Sequence, residues 1–349
     1  MKKGWQKYTL RDVAQEAKVS VGTISNYLNN PDRVKLANRE RIEKAIQLLE
    51  FTPNVNARIL ATGVSKNVVL YVLSERLISP TTWLHQLPSI QTICDELFAA
   101  GYNMQMSIVY ADNLQDTYAN VCRCVEGKGA DGILLLSVWE ISETIIDYLL
   151  AKQFPFVAAG SYVRHADACC VFFDNAAVMR DLVDILVDNG HRRIGYIGVR
   201  SGQQDVQRRF LGYAEEMRRW NLPIKDGDVL YGDFSISSGH SAMRDALEAG
   251  WKCTAALCSN DNMAVGALKA LEEAGLSIPG DVSVAGVDNS IAAEAYRLKL
   301  DTVQFDLKEL GRIAVKQLLT LMSGEEVKEK KMVAGYQIIR GETIGKAKG

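Results

Sequence analysis

The chain contains no Gly-x-x-x-x-Gly-Lys, so it carries no phosphate-cradling P-loop, and its Gly-x-Gly-x-x-Gly spacing, GKGADG at 127–132, leads into the apolar run ILLL instead of following one and opening a helix, so it is not a dinucleotide fingerprint. Its four histidines, His85, His165, His191 and His240, stand far apart, with no His-Glu-x-x-His. No nucleophile, base and orienting group can be named as a set, so no enzyme is expected, and no metal or cofactor. The seven cysteines include no Cys-x-x-Cys pair; Cys169 and Cys170 are adjacent, and Cys122 and Cys124 flank a single residue. They read as small apolar residues in a reducing compartment, not as a disulfide framework. The opening MKKGWQKYTL has charges but no apolar run behind them, unlike a signal peptide. No stretch reaches the roughly 18 apolar residues of a membrane span. A cytoplasmic location with no membrane partner is expected.

Net charge is also scarce, at −2 over 349 residues, but it is unevenly spread. Residues 1–60 hold 11 Lys/Arg against 6 Asp/Glu; the remainder holds 29 against 36. A basic head on an acidic body points to a polyanion-binding head. The length suggests two or three domains.

The head is spelled by TLRDVAQEAKVSVGTISNYLNN, residues 9–30. Thr9 can cap a helix whose inner face is Leu10, Val13, Ala14 and Ala17. Ser20 can cap a second helix, Val21 to Asn29, with Ile24 and Leu28 inside. Ala14 is small where the two would cross. Helices joined by so short a turn form a helix-turn-helix. A third amphipathic stripe, Ile42, Ala45, Ile46 and Leu49, closes a minimal core. The second helix leaves Gly22, Thr23, Ser25, Asn26 and Asn29 outside. Short polar side chains near a helix N-terminus suit entry into a major groove.

These residues resemble the headpiece of the lactose-repressor (LacI/GalR) family of bacterial transcription regulators. The family pattern runs roughly T-L-x-D-V-A-x-x-A-G-V-S-x-x-T-V-S-R-V-L-N. Lys18 stands where the pattern has glycine; a left-handed backbone there would cost Lys roughly 1 kcal/mol more than Gly. Asn26 replaces the usual arginine, which moves the expected base preference from guanine toward adenine. The resemblance implies DNA contacts from Thr9, Leu10, Ser20, Val21, Gly22, Thr23, Ser25, Asn26, Asn29 and Arg33. FTPNVNARILATG resembles the family hinge: Pro53 opens a two-turn segment, Asn54 to Ala61, too short to be a stable lone helix. Leu60 matches the leucine that wedges into the minor groove, Asn54 lies beside the DNA, and Ala57 is small where two hinges meet.

From Val68 the pattern becomes short apolar runs alternating with helical stretches: VVLYVLS, NMQMSIVY, GILLLSV, FPFVAAG, CCVFFD, RRIGYIGV, VLYGDF, AALCSN and VSVAGVD. Repeated strand–helix–strand units predict an α/β fold with two parallel-sheet lobes. RRFLGY (208–213), the block 259–290 and YQIIRGET (336–343) resemble the same family. Its effector domain is like a periplasmic sugar-binding protein. The expected organisation is a head at 1–51, a hinge at 52–66, a first lobe of 67–165 plus 300–330, and a second lobe of 166–299 plus 331–349. YRLKLDTVQFD lacks the proline common in the family before the crossover.

In such folds ligands sit beyond the carboxyl ends of the strands. Strand ends here offer Ser74, Ser137, Asn260 and Asp288, and Arg209 begins the R-x-x-G segment. By resemblance, Arg209, Asn260 and Asp288 would meet effector hydroxyls, with Trp83 and Phe234 as flat faces for a ring. Glu75 and Arg76, near the first strand end, are unusual there. His191 reads as structural, and SGEEVKEKK as a solvated loop. The expected function is a homodimeric, ligand-controlled transcriptional repressor on a near-palindromic double-stranded DNA operator. Its expected effector is a sugar or sugar derivative. A nucleobase or nucleoside is the alternative, and a non-regulatory solute-binding protein is a more distant one. Nothing after Gly345 resembles a leucine heptad, so a C-terminal tetramer is not expected.

Overall fold

A computed structural model describes residues 8–29, 31–51, 64–74, 80–110, 114–200 and 204–348. Asn54, Ala57 and Leu60 of the hinge reading, with Glu75 and Arg76, lie outside the described residues; so do the side chains of Asn29, Ser74 and Trp83. The chain divides into two compact units, Met1–Ser65 and Lys66–Gly349.

The small unit holds α1 (Leu10–Glu16), α2 (Val21–Asn29), a single 3-10 turn at Pro31–Arg33 and α3 (Leu36–Leu48). Both predicted caps are present. Thr9 and Asp12 form a reciprocal capping box: the Thr9 backbone N–H donates to the Asp12 carboxylate at 2.7 Å, and the Asp12 N–H donates to Thr9 Oγ1 at 3.4 Å. Ser20 Oγ accepts from the Thr23 N–H at 3.1 Å. Val13, Ala14, Ala17, Ile24, Val34, Ile42, Ala45 and Phe51 make one buried cluster, so each helix contributes to the core. Lys18, in the turn between α1 and α2, has φ +53°, the left-handed conformation anticipated for a glycine.

The large unit begins β1 (Asn67–Ser74), α4 (Pro80–Ala99), β2 (Asn103–Tyr110), α5 (Leu114–Glu126), β3 (Gly132–Leu136), α6 (Glu143–Ala151), β4 (Phe156–Ala159) and β5 (Cys169–Phe172). It continues α7 (Asn175–Asp188), β6 (Ile194–Val199), α8 (Gln204–Arg219), β7 (Val229–Gly232), α9 (Ile236–Glu248), β8 (Ala255–Cys258), α10 (Asp261–Glu273), β9 (Ser283–Ala285) and α11 (Ile291–Glu294). It closes with β10 (Thr302–Phe305), α12 (Leu307–Met322), β11 (Lys331–Val333) and β12 (Tyr336–Ile339).

One parallel sheet runs β11-β5-β4-β3-β1-β2 and a second runs β7-β6-β8-β9; β10 and β12 form an antiparallel ribbon. Strand β1 shows why the sheets are parallel and covered twice. Val68, Leu70 and Val72 enter one buried cluster, while Val69, Tyr71 and Leu73 enter another. A strand apolar on both faces needs helices on both.

The lobe boundaries differ from those expected. Cys169–Phe172 pairs with β4, and Lys331–Val333 pairs with it in turn, so both belong to the first sheet. The first lobe therefore extends past 165, and its last strand lies beyond 330. The apolar run CCVF carries no local mark of which sheet it joins; pairing with a distant strand decides that. Among the cysteines, Cys169, Cys170, Cys253 and Cys258 are buried as expected, Cys122 and Cys124 are half-buried, and Cys94 is exposed.

Candidate nucleic-acid interface and ligand cleft

On α2 the inner and outer faces separate as periodicity requires. Ile24 is fully buried, while Ser20, Gly22 and Asn26 are exposed, Thr23 and Ser25 are half-buried, and Val21 is 41% exposed. Arg33 is exposed in the 3-10 turn, and Leu10 is half-buried. The hydroxyls of Thr9 and Ser20 are engaged in their caps, and Ser20 Oγ also lies 2.9 Å from Thr23 Oγ1. They fix the helix starts, whose free N–H groups and dipole favour a phosphate. Arg41 donates to the Lys18 carbonyl at 3.0 Å, tying α3 to the turn. Tyr27 donates to Glu43 at 2.8 Å, tying α2 to α3.

In the large unit the strand carboxyl ends and the first turn of α8 converge around Arg209. The glycine of the R-x-x-G segment explains the approach. A Cβ on Gly212 would stand 2.3 Å from the Ala176 carbonyl, so α7 and α8 touch backbone to backbone. That contact brings Arg209 to the start of α7, where its Nε donates to Asn175 Oδ1 at 2.8 Å. One terminal nitrogen donates to the Ser259 carbonyl at the end of β8. The other meets Asp288 beyond β9 at 3.3 Å. The guanidinium also lies 5.4 Å from the Phe305 ring centroid on the crossover strand β10. Asp288 itself has φ +114°, a conformation L-residues rarely adopt.

Beneath this pair, Asp261 is fully buried. Thr302 Oγ1 and the Ser290 N–H donate to it, at 2.5 and 2.7 Å. Burial first, and the Asp288 charge second, push its carboxyl well above the ordinary aspartate range. Asp205, in the first turn of α8, is pushed up to about 7 by burial, opposed by Arg209 and assisted by Asp288.

Two expected contacts are differently employed. The amide of Asn260 caps α10, accepting from the Met263 N–H at 3.0 Å and donating to the Phe234 carbonyl at 3.1 Å. It holds Phe234, at φ +72°, in place. Ser137 Oγ is closed into a turn, donating to the Trp139 carbonyl at 3.0 Å and accepting its N–H at 2.9 Å. Both shape the cleft with atoms expected to meet ligand. The sequence reading missed Asn175, Gln204, Asp205 and Asp261. Asp205 had a legible signal: it stands four residues before Arg209 on one helix face. Gln204 clasps the first lobe, with Tyr162 N–H donating to its Oε1 at 3.0 Å and its Nε2 donating to the Tyr162 carbonyl at 3.3 Å.

Comparison with known proteins agrees with this geometry. Residues 9–54 match the family described as bacterial regulatory proteins, lacI family. Residues 183–344 match the periplasmic binding protein-like domain. The chain is 29% identical over 352 residues to the HTH-type transcriptional repressor CytR of Escherichia coli (strain K12), covering 96% of each protein. The lac repressor dimer bound to operator and the anti-inducer ONPF is similar at TM-score 0.83 and 25% identity, over 97% of this chain and 99% of that one. The complex of the transcriptional regulator CelR with cellobiose is similar at TM-score 0.68 and 26% identity, over 97% of this chain and all of that one.

Proposed function

Because the chain belongs to the lacI family of bacterial regulatory proteins, we propose that it is a dimeric transcriptional repressor whose hold on operator DNA is set by a sugar or sugar derivative bound between its two lobes. The observation that carries the reading is the Arg209–Asp288 pair at the carboxyl ends of the strands. A guanidinium fork and a carboxylate side by side match neighbouring hydroxyls, one donating to oxygen and the other accepting from it. Phe305, against Arg209, and Phe234, held by Asn260, supply apolar faces for a ring. The cellobiose bound by CelR is a sugar of this kind.

The exposed edge of α2 supports operator reading by Val21, Gly22, Thr23, Ser25 and Asn26 in a major groove, with Arg33 alongside. Two heads would read the halves of a near-palindrome. The second chain would cover an apolar face of the first lobe. Leu87 and Phe98 on α4, at 50% and 79% exposed, lie beside Met106 and Ile108 on the edge strand β2, at 47% and 46%. Effector controls binding only through its different affinity for two arrangements of the lobes.

The test is selection of operator from random duplex DNA, followed by gel shift across a panel of sugars and nucleosides. A palindrome should be enriched, and a sugar should change its affinity. Response to nucleosides alone would replace the sugar reading, and absence of any enriched palindrome would remove the repressor reading.

A further inference from the structure

A helix N-terminus at a ligand cleft ordinarily attracts an anion, because its free N–H groups and dipole are unmatched. In this chain the place is already taken. Asp205 lies in the first turn of α8, so the helix carries its own acid there, a negative charge once that carboxyl ionises. The turn is fixed from both sides: Gln204 holds the Tyr162 backbone of the first lobe, and Arg209, one turn on, holds Ser259 and Asp288 of the second. Asp205 sits between these anchors, half-buried, with no hydrogen-bond or ion-pair partner among the described residues.

The charges facing it are Arg209, Arg208 and Asp288. Arg209 is already engaged by Asn175, Ser259 and Asp288, and Arg208 is exposed, its guanidinium 5.3 Å from the Tyr162 ring centroid. Beside the Gln204 clasp, Ser161 is fully buried and its hydroxyl has no partner among the described residues. An unpartnered carboxyl next to Gln204 and an unpartnered hydroxyl next to Tyr162 thus flank the clasp that joins the two lobes. Both can accept hydrogen bonds, the hydroxyl can also donate one, and neither supplies a cation.

Resting on the effector reading above, we propose that Asp205 is a specificity residue of the cleft: its carboxylate accepts a hydroxyl or amine of the effector and turns away ligands that present a carboxylate, sulfate or phosphate to the start of α8. The effector class is then a neutral or amino-bearing polyol, in preference to a sugar acid or sugar phosphate.

The probe is inorganic sulfate, which requires no knowledge of the effector, titrated calorimetrically into the full-length chain at constant ionic strength. Sulfate sites elsewhere, including the basic head, are shared by every variant and cancel in the comparison. Asp205→Asn and Asp205→Ser should each add a saturable sulfate site, roughly tenfold or more tighter than any wild-type binding in the cleft. Arg209→Met combined with Asp205→Ser should remove it. Wild type should gain the same site when pH falls from about 8 to about 6, and Asp205→Asn should show no such dependence. Sulfate binding unchanged in both single variants, or equal in wild type at both pH values, would overturn the proposal. A second arm uses glucose, glucosamine and glucuronate with operator gel shift. A glucuronate response exceeding both others in wild type would also overturn it. If no sugar or nucleoside alters melting or operator affinity, the effector reading fails, and the sulfate comparison still judges Asp205.

Discussion

Arg209 and Asp288 meet at 3.3 Å with their side chains only 10% and 20% exposed, one from a helix and the other from a loop 79 residues away. The pair is not self-contained, because the same guanidinium holds Asn175 and the Ser259 carbonyl. Arg209→Lys keeps the charge but loses the planar fork. It is expected to weaken effector binding by roughly tenfold or more and to cost the large unit about 1–3 kcal/mol. Calorimetric effector titration and denaturant unfolding of the same sample measure both. Full effector affinity with Lys at this position would remove Arg209 from the binding reading.

Lys18 has φ +53° in the turn between the first two helices. Lys18→Gly keeps the carbonyl that accepts from Arg41 and relieves the left-handed backbone. The head is expected to gain about 1 kcal/mol. A rise in the thermal midpoint of the head's unfolding, with the large unit unchanged, is the signature.

Asn26 is exposed on the second helix, where its amide can meet the N6 and N7 edge of adenine. Asn26→Arg should move the preferred base toward guanine at one symmetric operator position. Selected random DNA reports this directly; an unaltered consensus would take Asn26 out of base reading.

Much of this was legible beforehand, and the reasons differ by residue. Thr9 and Ser20 cap because a short hydroxyl beside free N–H groups is a local arrangement that five residues can specify. Arg209 and Asp288 were legible through resemblance, because their joining depends on chain folded between them. Cys169–Phe172 was assigned to the wrong lobe because an apolar run states burial but not partners. Asn260 and Ser137 were expected at the ligand; the turn and cap bonds that occupy them depend on backbone geometry that composition does not display. Asp205 is marked in the sequence only by its spacing from Arg209; what sets it apart from an ordinary helix-starting acid is its burial.

His191 is fully buried, and its ring contacts Thr254 Oγ1 at 2.8 Å, Ser283 Oγ at 3.0 Å and the Gly345 carbonyl at 3.1 Å. The carbonyl can only accept, so Nε2 carries the proton and Nδ1 accepts from Thr254. Burial holds the imidazole below its usual value. The neutral ring therefore contributes stability above the unfolded value of about 6.5, and that contribution declines as pH falls. Denaturant midpoints of the large unit should drop between about pH 6.5 and pH 5. His191→Gln should show a flatter decline over the same interval, though a lower midpoint throughout.

Phe98 is 79% exposed on the outer face of α4, in the patch assigned to the second chain. Phe98→Glu would place a charge in that interface at little cost to the isolated fold. Sedimentation should show a shift from dimer to monomer, with operator affinity reduced at least tenfold or so, since one head reaches only one half-site. A dimer of unchanged stability would relocate the interface.

The backbone passes between the two sheets three times: after Cys169–Phe172, through the strand Thr302–Phe305, and between Lys331–Val333 and Tyr336–Ile339. Asp261 fastens the middle strand through Thr302. A pair of bodies strapped at three places has lost most of its ways to wander. A ligand seated between two bodies so strapped would have few relative movements left to favour.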